Sequence, residues 1–256
     1  MGKRAKIVEI SQRKSKGKGG KMLKIPRSID VLVEEQMNKW RSVTADRKGE
    51  VKVYHPVITI SREPGTGGTV IAKRLAEAMG MDIMSNQIIH KVAESVQMSE
   101  KVVSSLDEKD VKKRDNWLTS LFESRHLWPD NYLRHLMKVI STIGRHGNAV
   151  ILGRGANYIL PLEETFRVRL VAPKEARIAK VMASRGSSRK EAEEYITQTG
   201  SNRDAFIRKY FHTNIADPAH YDLVIDSSRL GIDGTIETIK AAFNLMNFQR
   251  RILKGQ

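Results

Sequence analysis

One segment of the chain constrains its fold more than any other, because a short β-branched run leads into a glycine-rich turn that opens directly into a helix. The run occupies Val57–Ile60, the turn is PGTGG (64–68), and the helical pattern covers Val70–Met79. Glycines let backbone N–H groups approach an anion closely, and a helix start adds the positive end of its dipole. The segment therefore predicts a strand, a phosphate-binding loop and a helix. The alternative is a tight turn that needs glycine only for its backbone.

The same alternation of short apolar runs and helical segments continues along the chain. Further candidate strands lie at 81–84, 149–152, 166–172 and 221–228, and helical patterns cover 86–147, 174–199 with a break at RGSS (185–188), and 232–246. Strands separated by helices favour right-handed crossovers and a parallel sheet that is covered on both faces. This predicts an α/β fold of three layers with a parallel five-stranded sheet. Ligands of such sheets bind beyond the carboxyl ends of the strands.

Composition excludes several classes of protein. The 256 residues include no cysteine, which rules out disulfides, thiolate metal sites and cysteine catalysis. No apolar run reaches the roughly 18 residues that a membrane-spanning helix needs. The first 30 residues contain no apolar core of the kind found in a signal peptide. We therefore expect a cytoplasmic protein without a membrane partner.

The net charge of +16 is concentrated at the N-terminus, where residues 1–28 hold ten Lys and Arg and only one acid, Glu9. The stretch RKSKGKGGK (13–21) has no apolar side chain, so it cannot offset the entropy lost on ordering and is predicted to be disordered. Such a tail can contact nucleic acid or anionic lipid. No aromatic residue interleaves its basic ones, as base stacking requires, so a solvated tail without a dedicated partner is the favoured interpretation.

These patterns divide the chain into three parts. A basic disordered tail covers 1–27, an N-terminal helix and linker cover 28–55, and the α/β domain covers 56–248. The helix is indicated by apolar residues at helical spacing from Ile29 to Trp40, with Ser28 as its N-cap. The sequence leaves the role of this helix and the oligomeric state open.

The glycine-rich turn departs from the usual phosphate-loop pattern G-x-x-x-x-G-K-[ST]. With Gly67 as the second glycine of that pattern, Arg62 replaces the first glycine and Gly68 replaces the lysine. Thr69 keeps the hydroxyl that would bind Mg²⁺, and Arg62 could supply the charge that the lysine normally brings to the transferred phosphate. The predicted phosphate-binding residues are Arg62, Gly65, Thr66, Gly67, Gly68 and Thr69.

Three segments together resemble a known family. SREPGTGG followed by IAKRLAEAMG resembles the opening of the cytidylate kinase-like proteins, a group of P-loop nucleoside monophosphate kinases whose S-R-x-x-G-S-G-G loop lacks the lysine. GRGAN (153–157) resembles the second mark of the family, and SNRDAFIRKYF (201–211) ahead of YDLVIDSS resembles the third. One position differs, because Ser85-Asn86 stands where the family usually has an aromatic residue and an aspartate.

The resemblance implies a P-loop kinase-like fold with helical acceptor-covering and lid segments, and ATP- and Mg²⁺-dependent phosphoryl transfer to a nucleoside monophosphate, CMP or dCMP. Arginine suits such a site because its planar fork binds phosphate oxygens in pairs. Arg62 with the lid arginines Arg185 and Arg189 would then be catalytic. The acceptor nucleotide would contact Arg154, Asn157, Arg203, Asp204 and Arg208.

Other interpretations stay open at this level. Asp204 and Arg208 are four residues apart, a spacing that also suits an ordinary ion pair on a solvated helix. The missing lysine and the Ser85-Asn86 difference fit a catalytically inactive nucleotide-binding regulatory protein. A kinase for another small substrate shares the same loop chemistry, because fold alone does not settle substrate.

Overall fold

The structure is a computed structural model that describes residues 29–46, 56–103 and 131–253. The predicted basic tail (1–27) and the part of the predicted linker at 47–55 lie outside these residues, as does the stretch 104–130. The division into tail, helix with linker, and main domain stays a prediction. Among the described helices, none combines the length and the apolar character needed to cross a membrane.

Five parallel strands form the central sheet in the order β2-β3-β1-β4-β5. They are β1 (Val57–Arg62), β2 (Asp82–Met84), β3 (Ala149–Leu152), β4 (Thr165–Val171) and β5 (Leu223–Asp226). The central strand β1 extends beyond the predicted run because Ser61 and Arg62 continue to pair with β4. The sheet confirms the predicted architecture, and its order places the end of β1 between the ends of β3 and β4.

Helices follow each strand and cover both faces of the sheet. They are α1 (Ile29–Asp46), α2 (Gly68–Met79), α3 (Asn86–Glu94), α4 (Val96–Val103), α5 (Asn131–His146), the short α6 (Ala156–Ile159), α7 (Lys174–Arg185), α8 (Arg189–Phe211) and α9 (Ser227–Leu253). The last helix begins at Ser227, directly after β5, and not at 232 as predicted. Gly231 has a non-helical backbone there (φ 66°, ψ −176°), so a first short turn is joined to the predicted helix across a kink.

The predicted break at 185–188 is present between α7 and α8. Gly186 adopts a left-handed conformation (φ 64°) that ends α7, a backbone angle that favours glycine. Ser188 and Glu191 then form a reciprocal capping box, which satisfies the first backbone N–H groups of α8. The helix continues to Phe211, well past the predicted limit at 199, and ends at His212 in a left-handed conformation.

Two apolar cores lie on opposite faces of the sheet, because alternate residues of each strand point to opposite sides. On one face Ile58 and Ile60 pack with residues of α2 and α9. On the other face Val57 and Ile151 pack with α1, α3 and α5. Strands buried on both faces account for the continuous apolar runs that the sequence shows.

Helix α1 belongs to the second of these cores. Val33, Met37 and Trp40 pack into it, and Met37 is fully buried. At the rim of this contact, the Gln36 side chain donates a hydrogen bond to Asp82 on β2 (2.8 Å), and Lys39 pairs with the same carboxylate. The apolar residues whose spacing predicted the helix therefore also form the face by which α1 packs on the core.

We expect the Met37→Ala substitution to lower the free energy of unfolding by about 2–5 kcal/mol, because it leaves a cavity at a fully buried position. Denaturant unfolding of the full chain measures this change. Val31→Ala on the same helix is the control, because Val31 is 46% exposed and its truncation should change the stability by less than about 0.5 kcal/mol. Equal effects of the two substitutions would show that α1 does not dock as described.

Candidate functional site

The glycine-rich loop connects β1 directly to the start of α2. Gly65 (φ 89°) and Gly67 (φ 78°) both have left-handed backbones, which lets the chain turn sharply into the helix. Gly67 is the N-cap residue of α2, and no side chain caps this helix start. The first N–H groups of a helix lack partners within the helix. An uncapped start behind a glycine loop can therefore bind an anion, as predicted.

Hydroxyl groups inside the loop fix its shape. The Thr66 hydroxyl, which is 2% exposed, donates to the Glu63 carbonyl (2.9 Å), and the Ser227 hydroxyl donates to the Thr66 carbonyl (3.0 Å). The phosphate contact of Thr66 stays a prediction, and since its hydroxyl already donates to Glu63, only its backbone N–H could make that contact. Thr69, by contrast, is exposed in the first turn of α2, where its hydroxyl can reach a ligand of the loop.

Neighbouring groups approach the loop so closely that a side chain at any of its glycines would have to displace one of them. A Cβ atom on Gly65 would lie 2.7 Å from the Arg177 carbonyl oxygen, and one on Gly67 would lie 2.7 Å from Lys180 Nζ. One on Gly68 would lie 2.8 Å from Cγ of Arg62. Helix α7 therefore lies across the loop, and the stem of Arg62 fills the space beside the position where the usual loop lysine would be attached.

The GRGAN segment forms an unusual turn at the end of β3. Gly153, Arg154 and Gly155 all have positive φ angles, of 79°, 55° and 68°. Such a conformation is uncommon for a residue other than glycine and often marks a functional site. The Arg62 guanidinium lies against Gly153 and the Phe211 ring lies against Gly155, so neither glycine could carry a side chain without displacing its neighbour.

Three arginines from distant parts of the chain meet beyond the end of β1. Arg203 Nη1 donates to the Arg62 carbonyl (2.8 Å), Arg62 Nη2 donates to Asn86 Oδ1 (3.4 Å), and Arg154 Nε donates to the Asn86 carbonyl (3.5 Å). We call Arg62, Arg154 and Arg203 the arginine cluster. Within the described residues, no carboxylate pairs with any of the three.

Burial and mutual repulsion oppose the charge of this cluster. Burial, followed by the positive charges of Arg203 and Arg154, lowers the pKa of Arg62 well below its usual value, to about 9. Burial also lowers the pKa of Arg203. The three arginines are partly buried, and a partly buried group of cations without a counter-charge is unfavourable unless an anion completes it. The electrostatics therefore indicate an anionic ligand.

Two cavities share Arg62 and Arg203 in their walls. The first, which we call the β3 cavity, has a volume of about 400 Å³ and is also lined by the GRGAN turn, Asn86 and the aromatic rings of Tyr158, Tyr195 and Phe206. The second, the α8 cavity, has a volume of about 630 Å³ and is also lined by Arg169, Arg177, Asp204 and Arg208. Both are large enough for part of a nucleotide.

Asn157 lies in the wall of the β3 cavity, and the Asp204–Arg208 pair lies in the wall of the α8 cavity. Asn157 is 8% exposed in the wall of the β3 cavity, and its Nδ2 has no hydrogen-bond partner among the described residues. A buried donor that faces a cavity without a partner favours a ligand that accepts from it. Asp204 and Arg208 form an ion pair and both line the α8 cavity. The pair is therefore an ion pair within one helix, and it also lies in the wall of the α8 cavity.

The predicted lid arginines do not join the cluster. Arg189 pairs with Glu175 (2.9 Å) and Glu193 (2.9 Å) at the surface, and these partners raise its pKa. The Arg185 guanidinium lies over the Tyr195 ring, 3.7 Å from its centre. Tyr195 lines the β3 cavity, so its ring separates Arg185 from that cavity. Neither arginine lines the β3 or the α8 cavity. Their catalytic role stays a prediction.

The sequence did not single out several side chains that the structure places at the site. Arg169 on β4 is 5% exposed and donates to the Ser61 hydroxyl (3.0 Å) beside the arginine cluster. Arg177 and Lys180 face the glycine-rich loop from α7. Residue spacing was the one signal that could have identified them. Arg169 lies two residues after Arg167, so both lie on one face of the strand, and Arg177 and Lys180 are three apart, so both lie on one face of the helix.

The described residues contain no group of three or more His, Asp or Glu side chains that could hold a metal ion. Mg²⁺ in kinases is typically bound through one or two protein oxygens together with substrate phosphates. A loop with one exposed hydroxyl, that of Thr69, fits a metal that arrives with the phosphates and does not require a protein cage.

The fold and the site define an α/β protein of the P-loop kinase-like class. The sequence profile of the cytidylate kinase-like family matches residues 57–229, and the chain belongs to this family. It is thereby a nucleoside monophosphate kinase-like enzyme. The profile covers the glycine-rich loop, the GRGAN turn and the arginine-bearing part of α8, which are the three segments on which the resemblance was based.

Two curated relatives are cytidylate kinases, and a solved structure shares the fold. A cytidylate kinase of Ignicoccus hospitalis is 27% identical over 185 residues, which cover 72% of this chain and 96% of that protein. A cytidylate kinase of Methanopyrus kandleri is 27% identical over 198 residues, covering 73% and 93%. The crystal structure of an uncharacterized protein from Eubacterium ventriosum has the same fold, with a TM-score of 0.55 and 22% identity over 73% of this chain and 99% of that one.

We expect Arg62→Met to raise the free energy of unfolding of the ligand-free protein by about 1 kcal/mol, because it removes a buried charge that two other arginines repel. Thermal or denaturant unfolding measures the change. Arg74→Met is the control, because Arg74 is half exposed in a surface ion pair with Asp233 and its removal should change the stability by less than about 1 kcal/mol.

The pH dependence of this effect has a defined sign. Above about pH 9 the native protein releases the Arg62 proton, whereas the unfolded chain keeps it to a higher pH, so the wild-type protein gains stability as the pH rises above about 9. The advantage of Arg62→Met should therefore shrink as the pH rises from about 9 to about 11. An advantage that grows over this range would contradict the charge assignment.

Proposed function

We propose that this protein transfers a phosphoryl group from ATP to a nucleoside monophosphate, with CMP or dCMP as the acceptor. The observation that carries the proposal is the arginine cluster, three cations without a carboxylate partner in the described residues, directly beside a glycine-rich loop and an uncapped helix start. Phosphates are the anions that such an arrangement binds best. The choice of CMP rests on the cytidylate kinases among the relatives.

The two substrates divide the site between them in this proposal. The donor phosphates bind the loop from Gly65 to Thr69, at the start of α2. The acceptor phosphate binds Arg154 and Arg203 in the β3 cavity, and the free amide of Asn157 donates to the acceptor nucleotide. Arg62 stands between the two because it is the last residue of β1, after which the loop begins, and its guanidinium reaches Gly153 on the acceptor side.

This arrangement can perform phosphoryl transfer without a nucleophilic or acid–base side chain. The reaction depends on holding donor and acceptor in line and on stabilising the charge that spreads over the transferred group. Arg62, Arg154 and Arg203 are already close to one another before substrates bind, so little reorganisation is needed when the charge develops. Bound Mg²⁺ would neutralise part of the donor charge, and Thr69 is the residue that we assign to it.

The lid arginines would act after a rearrangement. For Arg189 to reach a phosphate, it must leave Glu175 and Glu193, whose pairing with it is exposed to solvent and therefore weak. Arg185 would have to move past the edge of the Tyr195 ring, which it now covers, to enter the β3 cavity. Lids of this kind close over bound substrates and exclude water.

One observation favours a second candidate, a nucleotide-binding protein without turnover. Asn86 contacts both Arg62 and Arg154, and it occupies the position where the family usually has an acid. A neutral side chain there leaves the arginines fully available to bind phosphates but supplies no carboxylate for the acceptor nucleotide or a metal. The two candidates differ in turnover, and they agree on nucleotide binding.

We expect the purified protein to phosphorylate CMP or dCMP faster than UMP, AMP or GMP in a coupled assay with ATP and Mg²⁺. Arg154→Met should lower kcat/KM for the acceptor by about 10²–10³, because it removes a phosphate-binding cation from the reaction centre. Arg74→Met, which alters only a surface ion pair, should leave kcat/KM unchanged. Nucleotide binding without turnover of any acceptor would instead favour the binding protein.

We expect Thr69→Ala to lower kcat by about 10–100-fold and to raise the Mg²⁺ concentration that gives half the maximal rate, because the substitution removes the hydroxyl assigned to the metal. Thr69→Ser keeps that hydroxyl and should retain most of the activity. Titration of Mg²⁺ at saturating ATP measures both values. If alanine and serine behave alike, Thr69 does not serve the metal.

A further inference from the structure

Helix α7 turns one of its faces toward the glycine-rich loop. Arg177 and Lys180 are three residues apart and therefore lie on the same face. The backbone of Arg177 approaches Gly65, and Nζ of Lys180 lies 2.7 Å from the point where a Cβ of Gly67 would be. The neighbouring residues Ile178 and Val181 are buried in a small core with α8, which holds α7 in this orientation.

The two cations on this face differ in their partners. Arg177 Nε donates to the Ala172 carbonyl (2.9 Å) and pairs with Glu63 (3.4 Å), which itself accepts from the Ala172 N–H (3.1 Å). Arg177 is therefore largely neutralised and serves to attach α7 to the loop. Lys180 is half-buried and has neither an ion pair nor a hydrogen bond among the described residues.

A lysine at the usual place in the loop would collide with the rest of the site. At Gly68 the first side-chain atom would lie 2.8 Å from Cγ and 3.1 Å from Cβ of Arg62. Arg62 is itself held in place, because its guanidinium lies against Gly153 and contacts Asn86. Gly68 is therefore a consequence of the buried arginine, and the charge that the loop lysine usually supplies has to come from another element.

Arg62 does not supply that charge to the centre of the loop. Only its aliphatic stem passes Gly68, and its charged end is directed toward the GRG turn on the acceptor side. The charged group that lies over Gly67, where a phosphate would contact the start of α2, is the ammonium of Lys180. An ammonium is a compact point charge on a flexible stem and can shift to meet phosphate oxygens in that position.

We propose that Lys180, reaching the loop from α7, takes the place of the missing loop lysine and binds the polyphosphate of the donor at Gly67. This inference deepens the proposed function and rests on it for the identity of the donor. The break after Gly186 joins α7 to α8, which carries Arg203, so one helical pair brings a cation to each side of the transferred group.

Binding of inorganic tripolyphosphate tests the proposal without requiring turnover. Isothermal titration calorimetry of the full chain should show that Lys180→Met weakens tripolyphosphate and MgATP binding by about 10–100-fold, the loss expected when one charge-assisted contact is removed. Lys180→Arg keeps a cation and should retain most of the affinity. Lys174→Met is the matched control, because it removes the same charge from an exposed position on the same helix and should leave the affinity unchanged.

Each outcome decides the matter. Equal affinity of Lys180→Met and the wild-type protein for tripolyphosphate would overturn the role of Lys180, whatever the kinase assay shows. Weakened binding by Lys180→Met, with an unchanged melting temperature and rescue by Lys180→Arg, supports it even if no acceptor is turned over, and only the proposed function would then fail. A wild-type protein that does not bind tripolyphosphate would overturn both.

Discussion

Repulsion between partly buried arginines at the end of β1 is the interaction around which the site is organised. Burial lowers the pKa of Arg62, and the charges of Arg203 and Arg154 lower it further. The folded chain tolerates this because neutral groups hold each guanidinium: the carbonyls of Arg62 and Asn86 accept from Arg203 and Arg154, and the Asn86 side-chain oxygen accepts from Arg62. Neutral partners fix the positions of the charges without cancelling them, so the charges stay available to a ligand.

The topology of the sheet explains why these three residues meet. β1 is the central strand, between β3 and β4, so its last residue, Arg62, lies beside the turn that follows β3. That turn reverses through three consecutive left-handed residues and directs Arg154 back over the end of the sheet. Helix α8 crosses the same edge, and Phe211 packs against Gly155 at its end. The third arginine therefore comes from a helix whose position depends on the glycines of the turn.

Local patterns in the sequence were sufficient to predict the elements and the residues that follow them directly. The loop after β1 and the GRGAN turn after β3 are fixed by glycine spacing next to apolar runs, and both lie where this predicted. The first turn of α9 was missed because Gly231 interrupts its helical pattern. The role of the Thr66 hydroxyl was also beyond reach, since its partners depend on how the loop closes on Ser227.

Charge compensation between distant residues is the part that sequence reasoning could not supply. Four arginines of α7 and α8 separate in space into two kinds. Arg177, Arg189 and Arg208 pair with carboxylates and stabilise contacts between or within helices. Arg203 has no carboxylate partner in the described part of the chain and joins the site. The kind that an arginine belongs to depends on whether the fold brings an acid to it. Glu63, for example, pairs with Arg177 although the two are more than 100 residues apart in the sequence.

The position of the Arg62 side chain explains how this phosphate loop can lack its lysine. A lysine in the loop and an arginine at the end of β1 would compete for one volume beside Gly68, since the stem of Arg62 already fills it. With Arg62 in that volume, its charge lies on the acceptor side. The cation on the donor side is then Lys180, which reaches the loop from α7. The glycines at 68 and 153 therefore both accommodate the Arg62 side chain, and the cation on α7 serves the side of the loop that this side chain leaves without a charge.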